Sequence, residues 1–185
     1  MTSTHPLSGR LTVRRNLLVS ALVLAFAGVA ACGGSDSDAG PAPSLPTGCS
    51  PVRSPEVLDA THIPDGQKAT YNSTPPSSGN HYARWVQTGI YSDPIPNERQ
   101  VHNLEHGHVM IQYRGLDSGQ INELEKIVEA DAEMVILAPY PDMDPAVAFT
   151  SWGKIQTCDA WTDAIPAVAR YFIRVNRDHA PESVA

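Results

Sequence analysis

The chain has 185 residues, of which 42% are hydrophobic, 18% charged and 6% aromatic, a composition typical of soluble globular proteins and enough for one domain rather than two. Thirteen Lys and Arg against twenty Asp and Glu give a formal charge of −7, and the scattered basic residues argue against a nucleic-acid partner. Sixteen Pro and thirteen Gly beside three Phe and three Trp predict long ordered loops around a modest core.

Residues 1–31 read as an export signal. Arg10, Arg14 and Arg15 form a positive end, Leu17 to Ala31 is an apolar run, and Val29-Ala30-Ala31-Cys32 closes it with small residues before a cysteine. A spanning helix needs about 20 apolar residues, so this run is too short, and its ending resembles a lipobox in which Cys32 is acylated after cleavage. On that reading the protein is exported and held to a membrane by lipid, facing the periplasm or the cell exterior. Losing three arginines and no acids takes the formal charge from −7 to −10. Residues 32–48, rich in Gly, Ser, Asp, Ala and Pro, bury too little to fold and are expected to form a flexible tether. The folded domain is expected over 49–183.

With Cys32 assigned to lipid, Cys49 and Cys158 remain, and in an oxidising compartment they are expected to pair. Such a bridge would close about 109 residues, for which chain entropy suggests about 4–5 kcal/mol. The alternative, thiols that ligate metal or cycle redox, lacks a Cys-x-x-Cys motif.

Within the domain a strand is expected near 108–113, where Val109, Ile111 and Tyr113 alternate with His108, Met110 and Gln112. Ile121, Leu124, Ile127 and Val128 recur at helical spacing after the capping pair Asp117-Ser118, predicting a helix over 118–132. Met134 to Ala138, ahead of Pro139 and Pro141, reads as a buried strand, and Val147 to Trp152 as another. Trp161, Ile165, Val168, Phe172 and Val175 mark a terminal helix, with Pro166 acceptable only in its first turn. The expected fold is α+β: a small mixed or antiparallel sheet, two helices and extensive irregular loops, residues 50–100 supplying mostly irregular cover.

Histidine carries the chemistry. Of seven, His5 lies in the leader, and His62 and His179 stand apart near loops or the tail, whereas His81, His102, His106 and His108 are concentrated. Residues four apart lie about 13 Å apart on a strand but about 6 Å apart on a helical turn. His102 and His106 can therefore share an ion only across a turn, which Gly107 permits to end. His81 follows Ser78-Gly79, a loop able to approach another backbone closely.

Tyr71-Asn72-Ser73-Thr74-Pro75-Pro76-Ser77-Ser78-Gly79-Asn80-His81-Tyr82, Gly89-Ile90-Tyr91, Val101-His102-Asn103-Leu104-Glu105-His106-Gly107 and Thr150-Ser151-Trp152-Gly153 together resemble a bacterial family of exported or membrane-anchored domains, domain-of-unknown-function family 3105, over about residues 49–183. The resemblance implies a copper-binding role, with His81, His102 and His106 as the motif histidines. The sequence departs from the family pattern at Asn80, where proline is usual.

His102-x-x-Glu105-His106 also matches the His-x-x-Glu-His pattern of inverted zinc peptidases. That chemistry needs the motif on a long helix, and Gly107 ends the turn at once. Glu105 is instead expected to hold a histidine ring in its tautomer or to sit exposed on the turn, and no catalytic residue is assigned. His81, His102 and His106 are expected to converge on one ion, with Met110, His108 or Met143 as the source of a fourth ligand. Thioethers favour copper, whereas zinc is content with three histidines and water or carboxylate. The reading is an extracytoplasmic copper-binding lipoprotein that buffers, delivers or detoxifies the ion, exchanging it with a donor or acceptor protein. The alternatives are an envelope interaction module with structural histidines, or a zinc-dependent hydrolase.

Overall fold

A computed structural model describes residues 40–182. The leader at 1–31, Cys32 and the first part of the tether lie outside the described residues, while 40–46 run without helix or strand. Among the described residues no helix is long and apolar enough to cross a membrane.

The elements in chain order are β1 (His62–Ile63), β2 (His81–Tyr82), β3 (Gly89–Ile90), α1 (Asn97–Glu105), β4 (Val109–Tyr113), α2 (Ser118–Ala130), β5 (Val135–Pro139), β6 (Val147–Ser151), β7 (Lys154–Cys158) and α3 (Ile165–Asn176). β3, β5, β4, β6 and β7 form one sheet in that order. β3 and β4 pair parallel to β5, whereas β6 runs antiparallel to both β4 and β7. The fold is α+β with a mixed sheet. Among the described residues there are three helices rather than two, since α1 adds to the pair expected at 118–132 and near 161–175.

Parallel neighbours cannot be joined by a tight turn, and α2 makes the crossover from β4 to β5. Its start is fixed by a capping box in which the Gln120 amide donates to Asp117 Oδ1 at 2.9 Å and the Asp117 amide donates to Gln120 Oε1 at 3.0 Å. Pro166 lies in the first turn of α3, where its missing N–H costs nothing. Leu124, Ile127 and Val128 of α2 and Ile165, Val168, Ala169 and Phe172 of α3 bury against Val109, Ile111, Val135, Leu137 and Phe149 of the sheet. Full burial of such a side chain contributes about 1.5–3 kcal/mol, so this face carries most of the apolar stabilisation.

The opposite face is covered by α1 and the loops of 50–95. Met110, Ile136 and Ala138 point there and pack with Ile95 and Leu104. Unlike α2, α1 buries polar groups: Glu98, Gln100, His102, Asn103 and Glu105 are all inaccessible or nearly so. Gln100 Nε2 donates to the Ile95 carbonyl at 2.7 Å, and Gln112 Nε2 donates to Gln100 Oε1 and to Thr150 Oγ1. Each amide nitrogen has a destination, as buried polar groups require.

Cys49 and Cys158 form a disulfide across 109 residues. The segment it ties down lines the outer edge of β7: Ser50 N donates to the Thr157 carbonyl at 2.7 Å, and Arg53 and Ile155 exchange backbone hydrogen bonds. That segment covers an edge that would otherwise expose unpaired amides.

Candidate metal centre

The last turn of α1 carries the centre. His102, Glu105 and His106 fall at its C-terminal end, where His106 is the cap and Gly107, at φ 88°, turns the chain away. The Gly107 amide donates to the Leu104 carbonyl and the His108 amide to the Asn103 carbonyl, closing the helix as a left-handed glycine does. A helix C-terminus carries the negative end of the backbone dipole and favours a cation beside it.

His81 arrives from the 71–82 loop, which bends close to itself at Gly79. At φ 131° and with Tyr71 ring carbons 3.0 Å from where a Cβ would stand, that position admits only glycine. Asn80 in turn accepts from the Thr61 amide through Oδ1 at 3.1 Å, while its carbonyl accepts from the Tyr71 hydroxyl. The His81 amide donates to the Thr61 carbonyl, and β1 and β2 pair in parallel with His62 opposite His81. The departure at Asn80 thus anchors the strand that delivers a further histidine, His62.

Two donor groups result among the described residues. One atom each from His62, His81, His102 and Glu105 lie within 4.8 Å of one another, and so do atoms of Glu105, His106 and Glu182. His81 is fully buried, and His102 and Glu105 nearly so, whereas His62 is exposed. The His62 ring lies parallel to His102 at 5.2 Å and edge-on to His81 at 5.0 Å, and the His106 ring also stacks on His102, at 4.9 Å.

Hydrogen bonds decide which nitrogens are available. His81 Nδ1 faces the Gly79 carbonyl at 2.8 Å, and His102 Nδ1 faces the Tyr82 carbonyl. A carbonyl only accepts, so both Nδ1 atoms carry hydrogen, and in the neutral ring that leaves Nε2 as the nitrogen with a lone pair. Backbone carbonyls commonly orient metal-binding histidines in this way. His81 Nε2 lies 2.9 Å from Glu105 Oε2 without the alignment of a hydrogen bond, leaving a buried nitrogen with no hydrogen-bond partner. His106 Nε2 is 3.1 Å from His102 Nε2 and is the donor of that pair, because the His102 nitrogen is the acceptor. Burial holds the His102 imidazole below its usual range, outweighing the Tyr82 carbonyl that favours its charged form. At neutral pH the ring is uncharged, as a ligand must be.

Trp85 forms one wall, its ring 5.3 Å from His102 and 4.4 Å from His106. Its loop is clamped to α1 by Asn103, which accepts from the Val86 amide at 3.0 Å and donates to the Val86 carbonyl at 2.8 Å.

The remaining candidates lie elsewhere. His108 Nδ1 donates to the Asn103 carbonyl, and the ring lines a separate cavity of about 350 Å³ with Trp85, Gln87 and Glu133. Met110 packs in the apolar cluster with Leu104 and Ile136, and Met143 packs with Tyr140 and Ala148, so both thioethers serve as core. Glu105, expected beside the ligands or exposed, is buried and belongs to both donor groups. His62, which stands apart in the sequence, belongs to the first. Only the β1–β2 pairing reveals it, since nothing in local spacing links residues 62 and 102.

The family description of a protein of unknown function, DUF3105, matches residues 62–185, more than half of the chain. The chain belongs to the DUF3105 family. No curated protein and no solved structure matches it. The matched segment starts at His62, so all residues of both donor groups fall within the family domain.

Proposed function

We propose that this DUF3105 domain binds a divalent transition-metal ion, Cu(II) ahead of Zn(II), through His62, His81, His102 and Glu105. The observation that carries the proposal is the buried His81 Nε2, which has no aligned hydrogen-bond partner and sits 2.9 Å from Glu105 Oε2, beside a second imidazole whose Nδ1–H is likewise fixed by a carbonyl. Desolvated lone pairs facing a carboxylate are costly unless a shared cation occupies the space between them. Imidazole and carboxylate donors suit Cu(II) and Zn(II) rather than Cu(I), and Cu(II) binds such a set more tightly.

On the export reading of residues 1–31 and lipidation at Cys32, the ion is held outside the cytoplasm at a membrane surface. The role we assign is buffering or delivery of copper, or resistance to it, with a donor or acceptor protein as partner. Mass spectrometry of membrane fractions tests the anchor: an acylated Cys32 supports it, and unchanged membrane association and no processing in Cys32→Ala removes it.

Elemental analysis of the purified protein, followed by titration with Cu(II), Zn(II) and Cu(I), tests the site. Stoichiometric Cu(II), tighter than Zn(II) and far tighter than Cu(I), is the expected result. The His106 to His102 hydrogen bond favours a second reading, a self-contained polar hub inside an interaction module. Failure of all three ions to bind would establish that reading in place of the first.

A further inference from the structure

Glu105 belongs to two donor groups at once, with His62, His81 and His102 on one side and with His106 and Glu182 on the other. A carboxylate has two oxygens, and one shared between neighbouring sets of imidazoles is the usual bridge of a two-metal site, where the ions stand about 3.5–4 Å apart. His102 and His106 project from the same helical turn with Nε2 atoms 3.1 Å apart, so the two sets adjoin.

The second set is built by the C-terminal segment. The Asp178 amide donates to the Gly107 carbonyl at 3.1 Å, and the Glu182 amide donates to the Glu105 carbonyl at 3.1 Å. Gly107 lets this segment approach: a Cβ there would stand 3.0 Å from Asp178 Cα. Two backbone hydrogen bonds thus lay the segment across the end of α1 and bring Glu182 Oε2 to 3.6 Å from His106 Nε2.

The sets differ in access. In the first set His81 is fully buried, the Glu105 side chain is 5% exposed and only His62 reaches the surface, against 15% for His106 and 62% for Glu182 in the second.

We propose that Glu105 bridges two divalent transition-metal ions: an inner ion held with His62, His81 and His102, and an outer, exchangeable ion held with His106 and Glu182. This rests on the inner position being the metal site proposed above. Filling of the inner position takes the His102 lone pair to which His106 otherwise donates, so the His106 proton passes through solvent from Nε2 to Nδ1 and the freed Nε2 lone pair faces the outer ion. Loading is therefore sequential, inner before outer.

The test uses the full-length chain in detergent and Cu(II) alone as the probe, with bound copper counted after gel filtration and its paramagnetic resonance spectrum recorded. The unaltered chain is expected to bind two ions whose spins couple, so that the signal of the first equivalent is broadened or lost on adding the second. Glu182→Gln, at an exposed position, and His106→Ala are expected to keep the first equivalent with its isolated-ion spectrum and to weaken the second at least tenfold. Saturation of the unaltered chain at one ion overturns the bridge and leaves the inner site standing. Two uncoupled ions, or a second equivalent untouched by both substitutions, also overturn it. No binding at all overturns both the bridge and the inner site.

Discussion

His62→Ala is the most discriminating single substitution, because His62 is exposed and its removal leaves no cavity and no buried unpaired group. A structural role predicts almost no effect, since surface substitutions usually fall within about ±0.5 kcal/mol. A ligand role predicts a loss at least as large as the roughly 10–100-fold in affinity that follows loss of an outer partner of a metal ligand. Ligand linkage turns this into a melting shift. Cu(II) at 100 times its dissociation constant stabilises the native state by about 2.7 kcal/mol. A 100-fold loss of affinity at the same concentration reduces that to about 0.4 kcal/mol. At about 3 °C per kcal/mol for a domain of this size, the copper-induced shift falls from about 8 °C to about 1 °C, with the metal-free melting point unchanged. Differential scanning calorimetry with and without Cu(II), with His179→Ala as the neutral comparison, measures both quantities. A His62→Ala protein that keeps the full copper shift would refute a ligand role for His62 and leave three donors at most in the inner set.

Burial lowers the imidazole pKa of both His102 and His108 from 6.5, so the unfolded chain binds more protons below that value. Metal-free stability should be complete above about pH 6.5 and fall as pH drops through the lowered folded values; denaturant melts from pH 7.5 to 5 should show the loss, and His108→Gln should flatten it. Replacing both Cys49 and Cys158 by serine should cost about 2–5 kcal/mol in urea unfolding, with metal affinity preserved because the disulfide lies at the β7 edge; an unchanged midpoint would count against the bridge as a stabiliser. Gly107→Ala forces a Cβ into a left-handed turn and against Asp178 Cα, so a loss of at least about 1 kcal/mol is expected, together with faster amide exchange at Asp178 and Glu182. Retention of protection there would show that the C-terminal segment does not depend on that close approach.

Periodicity alone determines much of this molecule. α2, α3, β4, β5 and β6 bury one apolar stripe or a short apolar run, and each is visible within its own residues, to within a few positions at the ends. The pairing of Cys49 with Cys158 follows from there being no other cysteine beyond the leader end, and the spacing of His102 and His106 requires the helical turn that α1 supplies. α1 itself was not legible as a helix. Glu98, Gln100, Asn103 and Glu105 are buried by loops, and the first three bond to backbone groups outside the helix, so no polar face opposes an apolar one. β7 escaped for a related reason: Lys154-Ile155-Gln156-Thr157-Cys158 has one strongly apolar residue and owes its pairing to β6 and the 49–53 segment. β1 and β2 are two residues each, shorter than any repeating pattern, yet their pairing carries His62 to a site forty residues away in sequence. The donor set was likewise a tertiary decision. A fourth ligand was expected from Met110, His108 or Met143, but Met110 packs onto Leu104 and Ile136, and it is the Glu105 carboxylate that stands beside His81 Nε2. Local spacing fixes which residues share a turn; only the packing of three separate segments, 61–63, 79–82 and 102–106, decides which of their nitrogens and oxygens face one another.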